Sequence, residues 1–288
     1  MAMMKECQQT VCREATLSGI ALHTGIRAHL TLRPAPAGSG IVFERWDLPG
    51  APAVRAVADK VVDVRRGTTI ADGVARVHTV EHVLAALHAS GIDNAVVGMD
   101  GMEPPVLDGS AEPYMRLIEQ AGTQGQDAPA PVWCATSPIV VEEGDSKLVL
   151  TPDERFRITY IIAFGATPLD AQYFSGDITT ETFRDGIAGA RTFCLYKELA
   201  MMIGLGLVKG GSLDNAVVIH DGAIISKDGL RWDNEMVRHK VLDLVGDLYL
   251  VGSRIRAHII AVKSGHPTNI MLARAIRAQH FSGPSSGA

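Results

Sequence analysis

Residues 238–247 read Arg-His-Lys-Val-Leu-Asp-Leu-Val-Gly-Asp. Wound as an α-helix, the stretch and its neighbours sort into two faces. Val237, Val241, Leu244, Val245 and Leu248 recur at a period near 3.6 and form an apolar side. His239, Asp243 and Asp247 are spaced i, i+4, i+8 and stack along another side, with Lys240 beside them. An imidazole and a carboxylate one turn apart can share a metal ion, and their donor atoms suit zinc. The bland alternative is a solvated polar face, although a plain surface more commonly carries Glu and Lys. A metal site here needs a third ligand from elsewhere in the chain.

Working outward from this helix, the chain reads as strands followed by helices, twice. In the first half, short β-prone runs cut by Gly and Pro cover Val11 to Leu17, Arg27 to Arg33, Gly40 to Arg45, Val54 to Val64 and Thr68 to Ala71. A helix is expected from Thr79 to Ser90, with Gly91 as its C-cap. A strand from Ala95 to Met99 and a second helix from Glu112 to Gly122 follow. Residues 122–131, GTQGQDAPAP, have the composition of a linker and divide the chain into domains at 1–125 and 132–280. In the second half, strands are expected at Ile139 to Glu143, Lys147 to Leu150 and Arg157 to Phe164. Residues 190–219 contain a helix-like run and then a strand from Ala216 to Ile219. The helix at about 233–251, a strand from Ile255 to Val262 and a helix from His266 to Ala278 complete the half. Strands then helices, twice, implies an α+β fold of two layered units with similar topology, although no residue-level repeat is visible. Residues 281–288 are expected to be a flexible tail.

Composition narrows the class. With 47% hydrophobic and 20% charged residues, the chain is that of a globular protein. Lys and Arg number 27 against 32 Asp and Glu, a formal charge of -5, and no basic run occurs, which argues against a nucleic-acid surface. The four cysteines (Cys7, Cys12, Cys134, Cys194) form no C-x-x-C pair and no dense framework, which fits a reducing compartment. The opening stretch MAMMKECQQTVCREA lacks the apolar segment of a secretory signal, and no run of about 18 uncharged apolar residues exists. A cytoplasmic monomer with no transmembrane segment is expected.

The first half offers His82 as a third ligand, with Glu81 beside it. Catalytic zinc typically takes three protein ligands and leaves one position open, and a nearby carboxylate must then accept the proton of the attacking water. His266, after Lys263-Ser264-Gly265, is a candidate acid that can stabilise an oxyanion and protonate a departing amine, and Asp247 could hold it charged. Two rival readings stand beside this one. His78-Thr79-Val80-Glu81-His82 matches H-x-x-E-H, the inverted pattern of some zinc metallopeptidases, in which both histidines bind the metal. A non-catalytic two-domain binding protein is the other. His23, in the loop from Ser18 to Gly25, is either a site residue or merely solvated.

Seven stretches, SGIALHTG, TVEHVLAALHASGIDN, EPPVLDGSAEPY, ARTFCLYKEL, GLVKGGSLDNAVVI, LRWDNEMVRHKVLDLVGDLYL and KSGHPTN, span most of the chain. Together and in this order they resemble the UDP-3-O-acyl-N-acetylglucosamine deacetylases, the zinc amidases that commit the pathway to lipid A. The resemblance implies two α+β domains, each a β-sheet layered with helices, with the active site between them. It implies hydrolysis of the N-acetyl group of a UDP-acyl-amino-sugar, with Zn2+ held by His82, His239 and Asp243. Nitrogen and oxygen donors of this kind also accept Fe2+. By the same resemblance Glu81 is the general base and His266 the oxyanion-stabilising acid, with Asp247 its partner. Thr192 bonds the carbonyl oxygen, and Lys240 lies near the polar substrate groups. The chain departs from some relatives at Glu198 and Val208, neither in the zinc set. A passage for the acyl chain is expected along Phe193, Leu199, Val208, Gly211, Ala216 and Val218. There the apolar residues exceed one core-facing stripe, and glycines let backbone approach a ligand. These residues could equally be ordinary core.

Overall fold

The computed structural model describes residues 6–163, 171–221 and 223–282. Strand Arg254–Val262 shows how the sheets are built: alternate residues Ile255, Ala257, Ile259 and Ala261 are buried, and those between face away. This strand is the centre of the second-half sheet, whose order is Ile139–Glu143, Ser146–Thr151, Arg254–Val262, Phe156–Ile162, Gln172–Asp177. Val132–Cys134 runs parallel to its first residues. The first-half sheet has the order Ala15–Ile20, Arg27–Pro34, Ala95–Met99, Ile41–Arg45, Ala53–Arg55. In both sheets the last strand in sequence is inserted at the centre. It lies antiparallel to the second strand and parallel to the third. The two halves therefore share one topology.

The helices are α1 (Glu81–Ala89), α2 (Glu112–Ala121), α3 (Thr180–Gly186), α4 (Tyr196–Gly204), α5 (Glu235–Tyr249) and α6 (His266–Ser282). Helices α1 and α5 each precede the central strand of their sheet, α2 and α6 each follow it, and α1 packs directly on α5. Helix α1 is buried on almost every side, as an apolar helix between two layers must be. Helix α5 is equally buried: His239 and Asp243 are 3% exposed and Asp247 is 0% exposed, so the solvated-face alternative does not hold. None of the described helices is long and apolar enough to cross a membrane.

Several sequence expectations are revised. Val11 to Leu17 is two strands, Cys7–Val11 and Ala15–Ile20. Thr123–Pro129, read as linker, is a strand antiparallel to Cys7–Val11. An exposed two-stranded ribbon is held by backbone hydrogen bonds and needs no apolar alternation. Of the helix-like run at 190–219 only α4 is helical. Phe193–Leu195 is instead a strand parallel to Val217–His220, and Gly206 at φ +72° lies just past the end of α4. The strand expected to reach Phe164 is described to Ile162. Residues 164–170 lie outside the described residues, as do the first five and the 283–288 part of the tail; α6 reaches Ser282.

His88 of α1 links the two halves by packing rather than by charge. Its ring stacks on Tyr249 of α5 (centroids 4.7 Å apart, 7° between planes) and on Phe156 (5.4 Å, 26°), and its Nδ1 lies 3.4 Å from the Val245 carbonyl oxygen. Burial between these rings pushes the imidazole pKa down to about 4. The folded protein therefore keeps His88 neutral while the unfolded chain takes up a proton as pH falls through about 6.5. Stability from this group is complete above pH 6.5 and is lost toward pH 4, a total of about 3 kcal/mol. Thermal melts should show His88→Phe, which keeps an aromatic ring there, losing less Tm between pH 6.5 and 4.5 than the unmodified protein. Parallel pH dependences would show that His88 does not carry this effect.

Candidate active site

The site forms where α1 crosses α5, and Gly246 sets the closeness of the crossing. A Cβ at residue 246 would lie 2.0 Å from the Glu81 carbonyl oxygen, so only glycine admits α1 at this distance. The crossing brings His82 of α1 against His239 and Asp243 of α5, with the imidazole rings edge to face at 5.0 Å. Asp243 Oδ1 lies 3.4 Å from His239 Nε2 and 3.7 Å from His82 Nε2. Neighbouring ligands of a tetrahedral zinc with bonds near 2.1 Å are about 3.4 Å apart, which these two separations approach, and all three donors lie within 4.8 Å of one another. His239 Nδ1–H donates to the Ala190 carbonyl (2.9 Å), which leaves the Nε2 lone pair facing the other two donors. Among the described residues this is the one group of three or more His, Cys, Asp or Glu with converging donor atoms.

The electrostatics suit a cation. Burial pushes His239 down to about 4, so its imidazole is neutral and free to ligate. Burial would raise Asp243, but the Lys240 ammonium, 2.7 Å from Oδ2, holds its carboxyl well below the usual range. Lys240 also lies over the Phe193 ring, 5.8 Å from its centroid.

Glu81 and His266 stand beside the donor set. Glu81 is 3% exposed, and burial raises its carboxyl pKa. Its Oε2 accepts from the Thr68 N–H (2.9 Å). His266 lies at the start of α6, and its Nδ1–H donates to Asp247 Oδ2 (2.8 Å). Burial alone would lower its pKa, but the Asp247 carboxylate outweighs it and raises the imidazole to about 9. Asp247 is completed by the Thr68 hydroxyl (2.5 Å) and Asn269 Nδ2 (2.9 Å). Thr68 was not among the sequence candidates, because nothing in its spacing marks it. Asn269, at i+3 from His266, could have been found from helical periodicity.

Phe193 borders two cavities. A cavity of about 260 Å³ is lined by Lys240, Lys263, Arg66 and Ser264. An apolar groove of about 330 Å³ is lined by all six residues expected along the acyl passage, Phe193, Leu199, Val208, Gly211, Ala216 and Val218, together with Thr192 and His23. A cavity of about 1030 Å³ beside His88 and Arg254 contains none of these residues. His78 precedes α1, bonds Thr69 Oγ1 through Nδ1 (2.9 Å) and is outside the donor group. Because α1 begins only at Glu81, His78 and His82 are not one turn apart on one helix, and the inverted-peptidase geometry is not formed.

Residues 8–278 match the family described as UDP-3-O-acyl N-acetylglycosamine deacetylase. Proteins named UDP-3-O-acyl-N-acetylglucosamine deacetylase align along most of their length. The one from Citrifermentans bemidjiense is 46% identical over 91% of this chain and 86% of its own. That from Chlamydia caviae is 43% identical over 95% and 98%, and that from Myxococcus xanthus 42% over 93% and 86%.

Metal analysis of purified variants tests the donor set. His239→Ala, Asp243→Ala and Gly246→Ala should each lower bound metal at least about tenfold, the last by pushing α1 away from α5. His78→Ala should retain it. Loss in His78→Ala with retention in His239→Ala would restore the peptidase arrangement.

Proposed function

The chain belongs to the UDP-3-O-acyl-N-acetylglycosamine deacetylase family, and from that premise we propose how its own residues carry the reaction. It is a deacetylase of lipid A biosynthesis, a hydrolase of an amide, and a metalloenzyme that acts on a UDP-sugar. The reaction we infer is removal of the N-acetyl group of UDP-3-O-(3-hydroxyacyl)-N-acetylglucosamine, giving acetate and a free amine. The observation that carries the assignment of roles is the buried His82, His239, Asp243 triangle. It is flanked by a carboxyl whose pKa is raised and an imidazole held cationic. We assign zinc as the metal from the tetrahedral spacing of two imidazoles and a carboxylate; Fe2+ is accepted by the same donors.

Bound there, the metal would lower the pKa of water and polarise the amide carbonyl. Glu81 accepts the proton of the attacking water, and a raised pKa makes it a better acceptor near neutral pH. The Thr68 N–H keeps the carboxylate aimed. As the carbonyl carbon becomes tetrahedral, negative charge grows on its oxygen. Cationic His266 and the Thr192 hydroxyl stabilise that charge. The C–N bond breaks only as the nitrogen gains a proton, which His266 supplies, and Asp247 keeps His266 charged until then. Lys240 and Lys263, lining the smaller cavity, suit the diphosphate. The apolar groove takes the acyl chain, since each methylene moved out of water contributes about 0.8 kcal/mol. We propose two domains, the first extended from the expected 1–125 to Pro129 because the strand Thr123–Pro129 pairs with Cys7–Val11, the second 132–280, with the site between them. We also propose a cytoplasmic enzyme, in keeping with its four unpaired cysteines.

Two measurements test these roles. The pH profile of kcat/KM should be a bell, rising as Glu81 loses its proton and falling near pH 9 as His266 loses its own. Glu81→Gln should remove the rising limb and cost roughly 10²-fold or more, and His266→Ala should flatten the falling limb. A Glu81→Gln enzyme near the unmodified rate would sink the assignment. For the groove, Leu199→Trp or Ala216→Trp should weaken binding of a long-acyl substrate and spare a short-acyl analogue. Equal loss for both substrates at unchanged Tm would mean the chain is held elsewhere.

A further inference from the structure

We propose that Glu103 is a positioning residue for this reaction: its buried carboxylate holds Thr79 in a left-handed backbone conformation and so sets where Glu81 and His82 point. The inference rests on the roles proposed above for those two residues.

Helix α1 begins at Glu81, yet its N-cap, Val80, makes no side-chain capping bond, so the first turn is not fixed by its own cap. The residue before the cap, Thr79, has φ +53°. A β-branched residue is strained there and persists only when its surroundings impose the conformation. Backbone bonds from the His78 N–H to the Met102 carbonyl (2.8 Å) and from the Val80 N–H to the Thr68 carbonyl (3.2 Å) pin the neighbours of Thr79, and two contacts act on Thr79 itself. Gly67 packs against the turn so closely that a Cβ on it would lie 3.1 Å from Glu81 Oε1 and 3.4 Å from Thr79 Oγ1. Glu103, 1% exposed, accepts the Thr79 hydroxyl at Oε1 (3.2 Å). Its carboxylate is itself anchored by the backbone N–H groups of His23 (2.9 Å to Oε1) and Thr24 (2.9 Å to Oε2). It also fixes the loop carrying His23, which lines the apolar groove. If the hold on Thr79 is released, the backbone can relax toward negative φ, and α1 is reoriented two residues before the base. A displacement of about 1 Å there can cost as much as 10²-fold in rate.

A double-mutant cycle isolates the effect, because glycine adopts positive φ without strain. With Thr79 present, Glu103→Gln should lower kcat about tenfold or more with little change in KM. In a Thr79→Gly background the same substitution should lower kcat less than about threefold, at equal metal content. An equal loss in both backgrounds, or no loss in either, would overturn the proposal. Should Glu103→Gln fail to fold, Thr79→Ala and Thr79→Gly are compared with Glu103 intact. Both lose the hydroxyl but only Ala keeps the strain, so Ala should have at least about fivefold lower kcat than Gly. Equal values would overturn it. The companion Glu81→Gln assay separates the two levels. Near-normal activity there would remove the catalytic reading and this inference with it, whereas a failed cycle with an inactive Glu81→Gln enzyme would remove only the role of Glu103.

Discussion

The close crossing of α1 and α5 is the constraint on which the rest depends. Gly246 lets one helix lie against the backbone of the other, where a single methyl group would collide with the Glu81 carbonyl oxygen. The two helices occupy equivalent places in the two halves, each leading into the central strand of its sheet. The duplicated topology thus delivers two helix faces to one seam. Helix α1 contributes an imidazole and a carboxyl, and α5 an imidazole and two carboxylates. A metal ligated by His82, His239 and Asp243 would tie the halves together as well as serve chemistry.

Packing ionisable groups into this seam is costly unless each is paired, and the pairing differentiates them. Three carboxylates share the site, but their surroundings diverge. The Lys240 ammonium outweighs burial at Asp243 and keeps it ionised. Asp247 receives a hydroxyl, an amide and an imidazole N–H, and raises the pKa of His266. Glu81 has one backbone N–H, and burial dominates there, so its pKa rises. Environments that push like groups apart in this way are what the proposed division into acid, base and ligand requires.

Much of this was legible in the sequence because helical periodicity is local. The i, i+4 spacing of His239 and Asp243 survives directly as a 3.4 Å approach of their donor atoms. Periodicity could not reveal that the polar face of α5 is buried, since that depends on what packs against it. Nor could it show that 123–129 is a strand, because its pairing with Cys7–Val11 is a contact more than a hundred residues away in the chain. The order of elements pointed to a repeated topology, but the shared strand order itself rests on long-range pairings and was not legible. Thr68 and Glu103 are tied to distant elements by hydrogen bonds, and nothing in their own neighbourhoods distinguishes them.

The central claim is that one metal ion sits between α1 and α5. The most direct test is a crystal structure of the zinc-loaded protein with anomalous data collected at the zinc edge. A single dominant peak should lie within about 2.2 Å of His82 Nε2, His239 Nε2 and a carboxylate oxygen of Asp243. A dominant peak held by His78 and His82, with His239 and Asp243 out of ligand range, would contradict it.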